Sequence, residues 1–213
     1  MEKETKLQLD RLVFFSDAVI AIAITLLALN LDIRSTTIQG KLSFRDLFHE
    51  WHKFAAFVLS FVLIALFWLI HHKFFRYIIR IDQKLLRFNL IWLFFIVLLP
   101  FSTTLASNYF GQPAAVFVYS INILLITIFQ NTIWDYVSVR PDYLAPGTSP
   151  QVINDYRLAC NVAMVNGLLA VGLSFIWPLL AFLVLFTRPG MKGLYEWMFR
   201  RKKKKSHSRH RQS

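Results

Sequence analysis

The chain has 213 residues, 56% of them hydrophobic and only 17% charged, with a net charge of +12. That balance excludes an ordinary water-soluble domain, and several apolar runs reach the ~17–25 residues that cross a bilayer as a helix. The runs are continuously apolar rather than alternating, which argues against a membrane β-barrel and for an all-α, polytopic membrane protein.

The N-terminal stretch MEKETKLQLDR is polar and leads straight into an apolar span, predicted as a helix over about Leu12–Leu31. This span is longer than the apolar core of a signal peptide, and no small-residue cleavage site follows it, so it reads as a retained first helix. Residues 43–54, SFRDLFHEWHKF, mix apolar and charged positions and suit an interfacial helix leading into the second span. The second span covers about Phe54–Ile70 and ends in HHK, and the third covers about Phe88–Ala106, interrupted by Pro100. The fourth covers about Ala114–Val137, and the Pro- and Gly-rich stretch 139–151 reads as a loop. The segment Leu158–Phe186 is long for one helix. Two short helices with a tight turn near Gly172 would make six spans, and one kinked helix would make five.

Basic residues choose between these counts, because short cytoplasmic loops carry an excess of Lys and Arg. With six spans both termini share a side with Lys73, Arg76, Arg80, Lys84, Arg140 and Arg157, while the opposite side carries Arg34, Lys41 and Arg45. Five spans would send the tail RRKKKKSHSRHRQS, with eight of the 24 Lys and Arg, away from the other basic loops. The expectation is six spans in the cell membrane with both ends cytoplasmic. Residues 1–190 then form the transmembrane domain and 191–213 a basic tail that suits anionic lipid better than nucleic acid. The lone Cys160 excludes an internal disulfide.

Within the first helix, Ala18, Ile22, Thr25, Leu26 and Leu29 share one face, and Ala21 and Ala28 make a second face of small residues. From spacing alone such a stripe is packing or lipid contact. Asp17 is different: a carboxylate on a membrane helix is costly and normally has a partner or a task. A first-turn acid beside Ser16 would explain it only if the helix began there, but residues 12–15 are already apolar. With the helix starting nearer Asp10, Asp17 lies inside it. Its candidate partners share its side of the membrane: Arg11, Trp68, His71, His72, Arg87 and Asn89. The expected result is a polar cluster that locks the first helix to its neighbours.

The pattern Arg11-x-x-x-Phe15-Ser16-Asp17, followed by Ala21-Ile22-x-x-Thr25, resembles the signature of the transmembrane protein 175 potassium channels. Trp68-x-x-His71-His72 and the run Asn89–Phe101 strengthen the resemblance, which covers the first three spans. It implies a homotetramer of six-helix chains in which the first helix of each lines a central pore, with no cofactor and with potassium as the permeant ion. Carried over by position, Ile22 is implied as the main constriction, Leu26 and Leu29 as further apolar rings, and Thr25 as a hydroxyl layer. Such a pore is expected to discriminate potassium from sodium only weakly.

Other polar residues carry less. His71 and His72 diverge by 100° on a helix and suit a shared metal poorly. Asn122, Gln130, Asn131 and Asp135 in the fourth span, and Asn161 and Asn166 in the fifth, would mark a transport path or simply bond across helices. No nucleophile–base pair or phosphate loop points to an enzyme. A transporter using Asp17 and a non-transporting structural or sensing protein stand as alternatives to a channel.

Overall fold

The computed structural model describes residues 2–29, 31, 43–185 and 187. The helices are α1 (Glu2–Leu29), α2 (Phe44–His49), α3 (Trp51–Phe75), α4 (Gln83–Asn108), α5 (Pro113–Ser138) and α6 (Pro150–Ser174), with a 3-10 turn at Pro141–Tyr143. A further helix, α7, is described over 178–185. Among the described residues there is no strand, only an isolated antiparallel bridge between Ile78 and Leu144. Among the described residues five helices, α1 and α3–α6, are long and apolar enough to span a bilayer.

Several boundaries differ from the sequence-based expectation, each for a local reason. α1 starts at Glu2, because Lys, Glu and Gln favour a helix as readily as the apolar residues that follow. Asp17 therefore lies far inside it. α4 runs without a break through Pro100. The proline removes the backbone donor to the Ile96 carbonyl and the helix continues past it; in the same turn the Ser102 and Thr103 hydroxyls donate to the Leu99 carbonyl at 3.0 and 2.7 Å. α6 passes straight through Gly172, and the turn falls at 175–177, immediately before Pro178. Pro178 disfavours helix at the residue before it and then opens α7, so proline rather than glycine places the turn. The expected interfacial helix is the single short α2 set against the start of α3. Arg34, Lys41 and the tail 191–213 lie outside the described residues.

The core is built around α5, whose Tyr119, Ile123, Ile126, Ile133 and Trp134 are all buried. Gly167 lets α6 approach α5 closely: a Cβ there would meet the Leu124 Cδ1 at 3.1 Å and its Cα at 3.3 Å. At one end of the bundle, the links between α3 and α4 and between α5 and α6 are stapled together. Ile79 N–H donates to the Tyr143 carbonyl at 2.9 Å, Ala145 N–H to the Tyr77 carbonyl at 2.8 Å, and Arg80 pairs with Asp142 at 2.7 Å. Gln8 and Arg11 border a cleft with Gln83 at this same end, so the start of α1 shares it.

Candidate functional site

α1 carries two opposed faces. Leu9, Leu12, Ser16, Ile20, Ala23 and Leu27 are buried against α3 and α4, following the spacing of three and four that defines one helical stripe. On the opposite side Ile22 is 60%, Leu26 37% and Leu29 77% exposed, with Ala18, Ala21 and Thr25 also uncovered. The Thr25 hydroxyl donates to its own helix at the Ile22 carbonyl, 2.8 Å away, which leaves the lone pairs of Oγ1 for anything that faces the stripe.

Polar bonds fix the rotation of this helix. Trp68 Nε1 on α3 donates to Asp17 Oδ1 at 2.8 Å. Asn89 Nδ2 on α4 donates to Ser16 Oγ at 2.9 Å, and the Ser16 hydroxyl passes its proton on to the Leu12 carbonyl at 2.8 Å. His71 Nε2 on α3 lies 2.8 Å from Asn89 Oδ1. Each proton in this chain has one place to go: since Asn89 Oδ1 can only accept, His71 Nε2 carries the hydrogen and Nδ1 is bare. Nδ1 is buried without a partner, and the ring is stacked on Trp92 with centroids 4.5 Å apart and an interplanar angle of 6°. His72 packs its ring at 5.7 Å from that of Trp68. Arg11 and Phe15, the other residues of the motif, are both exposed and border the cleft between α1 and α4. Arg87 turns to the Gln83 carbonyl instead of to Asp17.

A second polar chain had no sequence signal beyond isolated hydroxyls. Tyr119, Ser60 and Thr103 join α5, α3 and α4 through contacts of 2.8 and 2.7 Å. Thr103 spends its proton on the Leu99 carbonyl, so the donors run from Tyr119 to Ser60 to Thr103. The polar residues of the fourth span bond across helices: Gln130 to the Phe67 carbonyl at 2.9 Å, and Asp135 to Arg157 at 2.9 Å. Asn166 likewise donates to the Val184 carbonyl at 3.0 Å.

A family model described as endosomal/lysosomal potassium channel TMEM175 matches residues 11–100, the stretch that holds both the two-faced helix and its polar lock. The fold extends the likeness to nearly the whole chain. The crystal structure of a lysosomal potassium-selective channel TMEM175 homolog from Chamaesiphon minutus superposes with a TM-score of 0.73 at 28% identity, over 91% of this chain and 97% of that one.

Residues 11–100 of this chain resemble the TMEM175 family.

Two further relatives, one of similar length and one longer, are similar to this chain. A potassium channel from Streptomyces collinus is 29% identical over 166 residues, 76% of this chain and 80% of that protein. A longer relative, the endosomal/lysosomal proton channel TMEM175 of Gallus gallus, is 28% identical over 136 residues, which are 63% of this chain and 27% of that protein. The proteins that this chain resembles are named as ion channels, and its long apolar helices suit a multi-pass membrane protein.

Proposed function

We propose that this protein conducts potassium passively across the cell membrane as a homotetramer, with α1 of each chain around a central pore. The observation that carries the reading is the exposed stripe of α1, set opposite a face anchored by Trp68 and Asn89. A helix held so firmly on one side leaves Ile22, Leu26 and Leu29 to point at a common axis, with Ile22 as the narrowest ring.

Four branched side chains facing one another expel water, so such a neck opens and closes by wetting. From Ile22 to Leu29 the neck is about 10 Å long at ~1.5 Å per residue. Complete stripping of an ion over that length would cost tens of kcal/mol, so conduction needs rings wide enough for a partly hydrated cation. Thr25 oxygens offer a replacement for part of the hydration shell, and selectivity for potassium over sodium is weak. Both termini and the stapled loops face the cytoplasm, as the basic residues at that end require. No cofactor takes part; the partners are potassium ions, the bilayer and three further copies of the chain.

The test is single-channel recording in planar bilayers. Ile22→Asn and Ile22→Ala should each raise unitary conductance, and unchanged conductance in both would remove Ile22 from the neck. Amine-reactive cross-linking should give a four-rung ladder, and cysteine at position 22, one introduced thiol per chain, should give disulfide-linked pairs. The name of the Gallus gallus relative makes proton conduction the second reading. A reversal potential that follows a proton gradient and ignores a potassium gradient would favour it.

A further inference from the structure

A cleft of about 620 Å³ opens between the first half of α1 and the start of α4, and the pore proposed above does not use it. Its rim is polar, with Gln8 and Arg11 on one side and Asp82 and Gln83 on the other. Its deeper wall is apolar, formed by Leu12, Phe15, Leu86 and Leu90. The change from polar to apolar runs along the helix axes, the direction in which a bilayer changes from headgroup to acyl chain. Gln8 and Phe15 are separated by about 10 Å along α1 at ~1.5 Å per residue, roughly the depth of that change. Beyond Leu90 the wall continues as an exposed stripe, Phe94, Val97 and Phe101, on the same face of α4.

The charges at the rim are unequal. Asp82 is committed to the fold: its carboxylate accepts from Leu85 N–H at 2.7 Å and from the Tyr136 hydroxyl. Arg11 is exposed, and among the described residues its guanidinium has no hydrogen-bond or ion-pair partner. Arg87, one turn beyond Gln83 on α4, does not line the cleft and places its Nε on the Gln83 carbonyl at 3.3 Å.

We propose that this cleft holds one anionic phospholipid of the leaflet at the stapled end of the bundle. The phosphodiester sits on the Arg11 guanidinium, whose planar fork matches two phosphate oxygens, with the Gln8 and Gln83 amides beside it. One acyl chain runs down Leu12, Phe15, Leu86 and Leu90 and out along the α4 stripe. The site stands without the pore assignment, since it needs only this chain and a membrane.

The test uses the full-length protein reconstituted in vesicles of equal phosphatidylglycerol and phosphatidylcholine. The protein is re-extracted in mild detergent and its retained lipid measured by mass spectrometry. Wild type should retain phosphatidylglycerol about fivefold over phosphatidylcholine. Arg11→Gln removes the cation and Leu86→Trp fills the wall; each should bring the ratio to that of the vesicle. Arg76→Gln, a cation of the same end that does not border the cleft, should leave it unchanged. Equal retention of the two lipids by wild type overturns the proposal, as does an enrichment that survives Leu86→Trp. If Leu86→Trp lowers the mass of the assembly in light scattering while the lipid ratio holds, the cleft seats a neighbouring chain and the proposal fails. Should Arg11→Gln not fold, Leu86→Trp alone decides.

Discussion

Asn89 on α4 donates its amide hydrogen to Ser16 Oγ on α1 at 2.9 Å, across 73 positions of sequence. The other end of the same amide receives His71, so one side chain ties three helices at a single depth. Asn89→Leu keeps the volume but leaves the buried His71 Nε2 hydrogen without an acceptor. The expected loss is about 1–3 kcal/mol, the usual cost of stranding a buried donor. Adding His71→Phe removes the stranded donor and keeps a ring against Trp92, so the double variant should lose less than the two single losses together. Thermal melting followed by size-exclusion chromatography measures all three; strictly additive losses would mean that the two residues do not act through one bond.

The Trp68–Asp17 bond is charge-assisted and half-buried, so its two ends should behave differently when cut. Trp68→Phe strands a carboxylate inside a membrane helix, whereas Asp17→Asn keeps an acceptor for the indole. We expect Trp68→Phe and Asp17→Ala to abolish most assembled protein and Asp17→Asn to retain much of it. Cross-helix bonds in membranes couple by about 0.6 kcal/mol on average and about 1.7 at most, so a coupling near the upper value is the expectation here. Full assembly of Asp17→Ala, judged by the yield of the intact oligomer, would contradict the lock.

Gly167 predicts a size threshold. A methyl group at this position meets Leu124 at 3.1 Å, tight enough that α5 and α6 must part by a few tenths of an ångström. Gly167→Ala should be mild and Gly167→Val should cost about 1–3 kcal/mol through overpacking. Leu124→Ala in the Gly167→Val background should recover part of that loss in melting temperature, because it removes Cδ1, the nearest of the crowding atoms.

Asp82 supplies a pH prediction at the stapled end. Burial pushes its carboxyl upward, but hydrogen bonds from Tyr136, from Leu85 N–H and from Tyr143 outweigh it and hold the group below its ordinary 3.8. A folded value below the unfolded one means stability that is fully present above about pH 4 and fades as the pH falls through the lowered folded value. Asp82→Asn should therefore lower the melting temperature at pH 7, and the gap from wild type should close as the pH is taken below 4. A gap of constant size down to pH 3 would show that the carboxylate charge contributes nothing.

How much of this could be read beforehand depended on the kind of signal. A carboxylate inside an apolar run demands a partner, and span orientation left six candidate groups at its depth; of these Trp68 bonds Asp17 and Asn89 bonds Ser16, while Arg87 turns to the Gln83 carbonyl. Helix ends were less legible, because Glu2–Asp10 continues a helix as readily as it would a loop and α4 runs on through Pro100. Gly172 invited a turn that Pro178 actually dictates. The Tyr119–Ser60–Thr103 chain was invisible because hydroxyls in membrane helices commonly bond their own backbone, as Thr25 does. The exposed stripe of α1 shows a deeper limit: Ile and Leu facing hydrocarbon and Ile and Leu facing an axis are the same letters at the same spacing.

The distance in sequence between Asp17 and the groups that receive it has a consequence for biogenesis. When α1 leaves the ribosome, Trp68 is 51 residues and the Asn89 partner of Ser16 is 73 residues from being available. At roughly 5–20 residues per second the first segment waits on the order of 3–10 seconds for the partner of its acid, and about 4–15 seconds for that of Ser16. The cost of an unpaired acid at depth favours keeping the segment near the lipid headgroups until the second span, which carries Trp68, is in place.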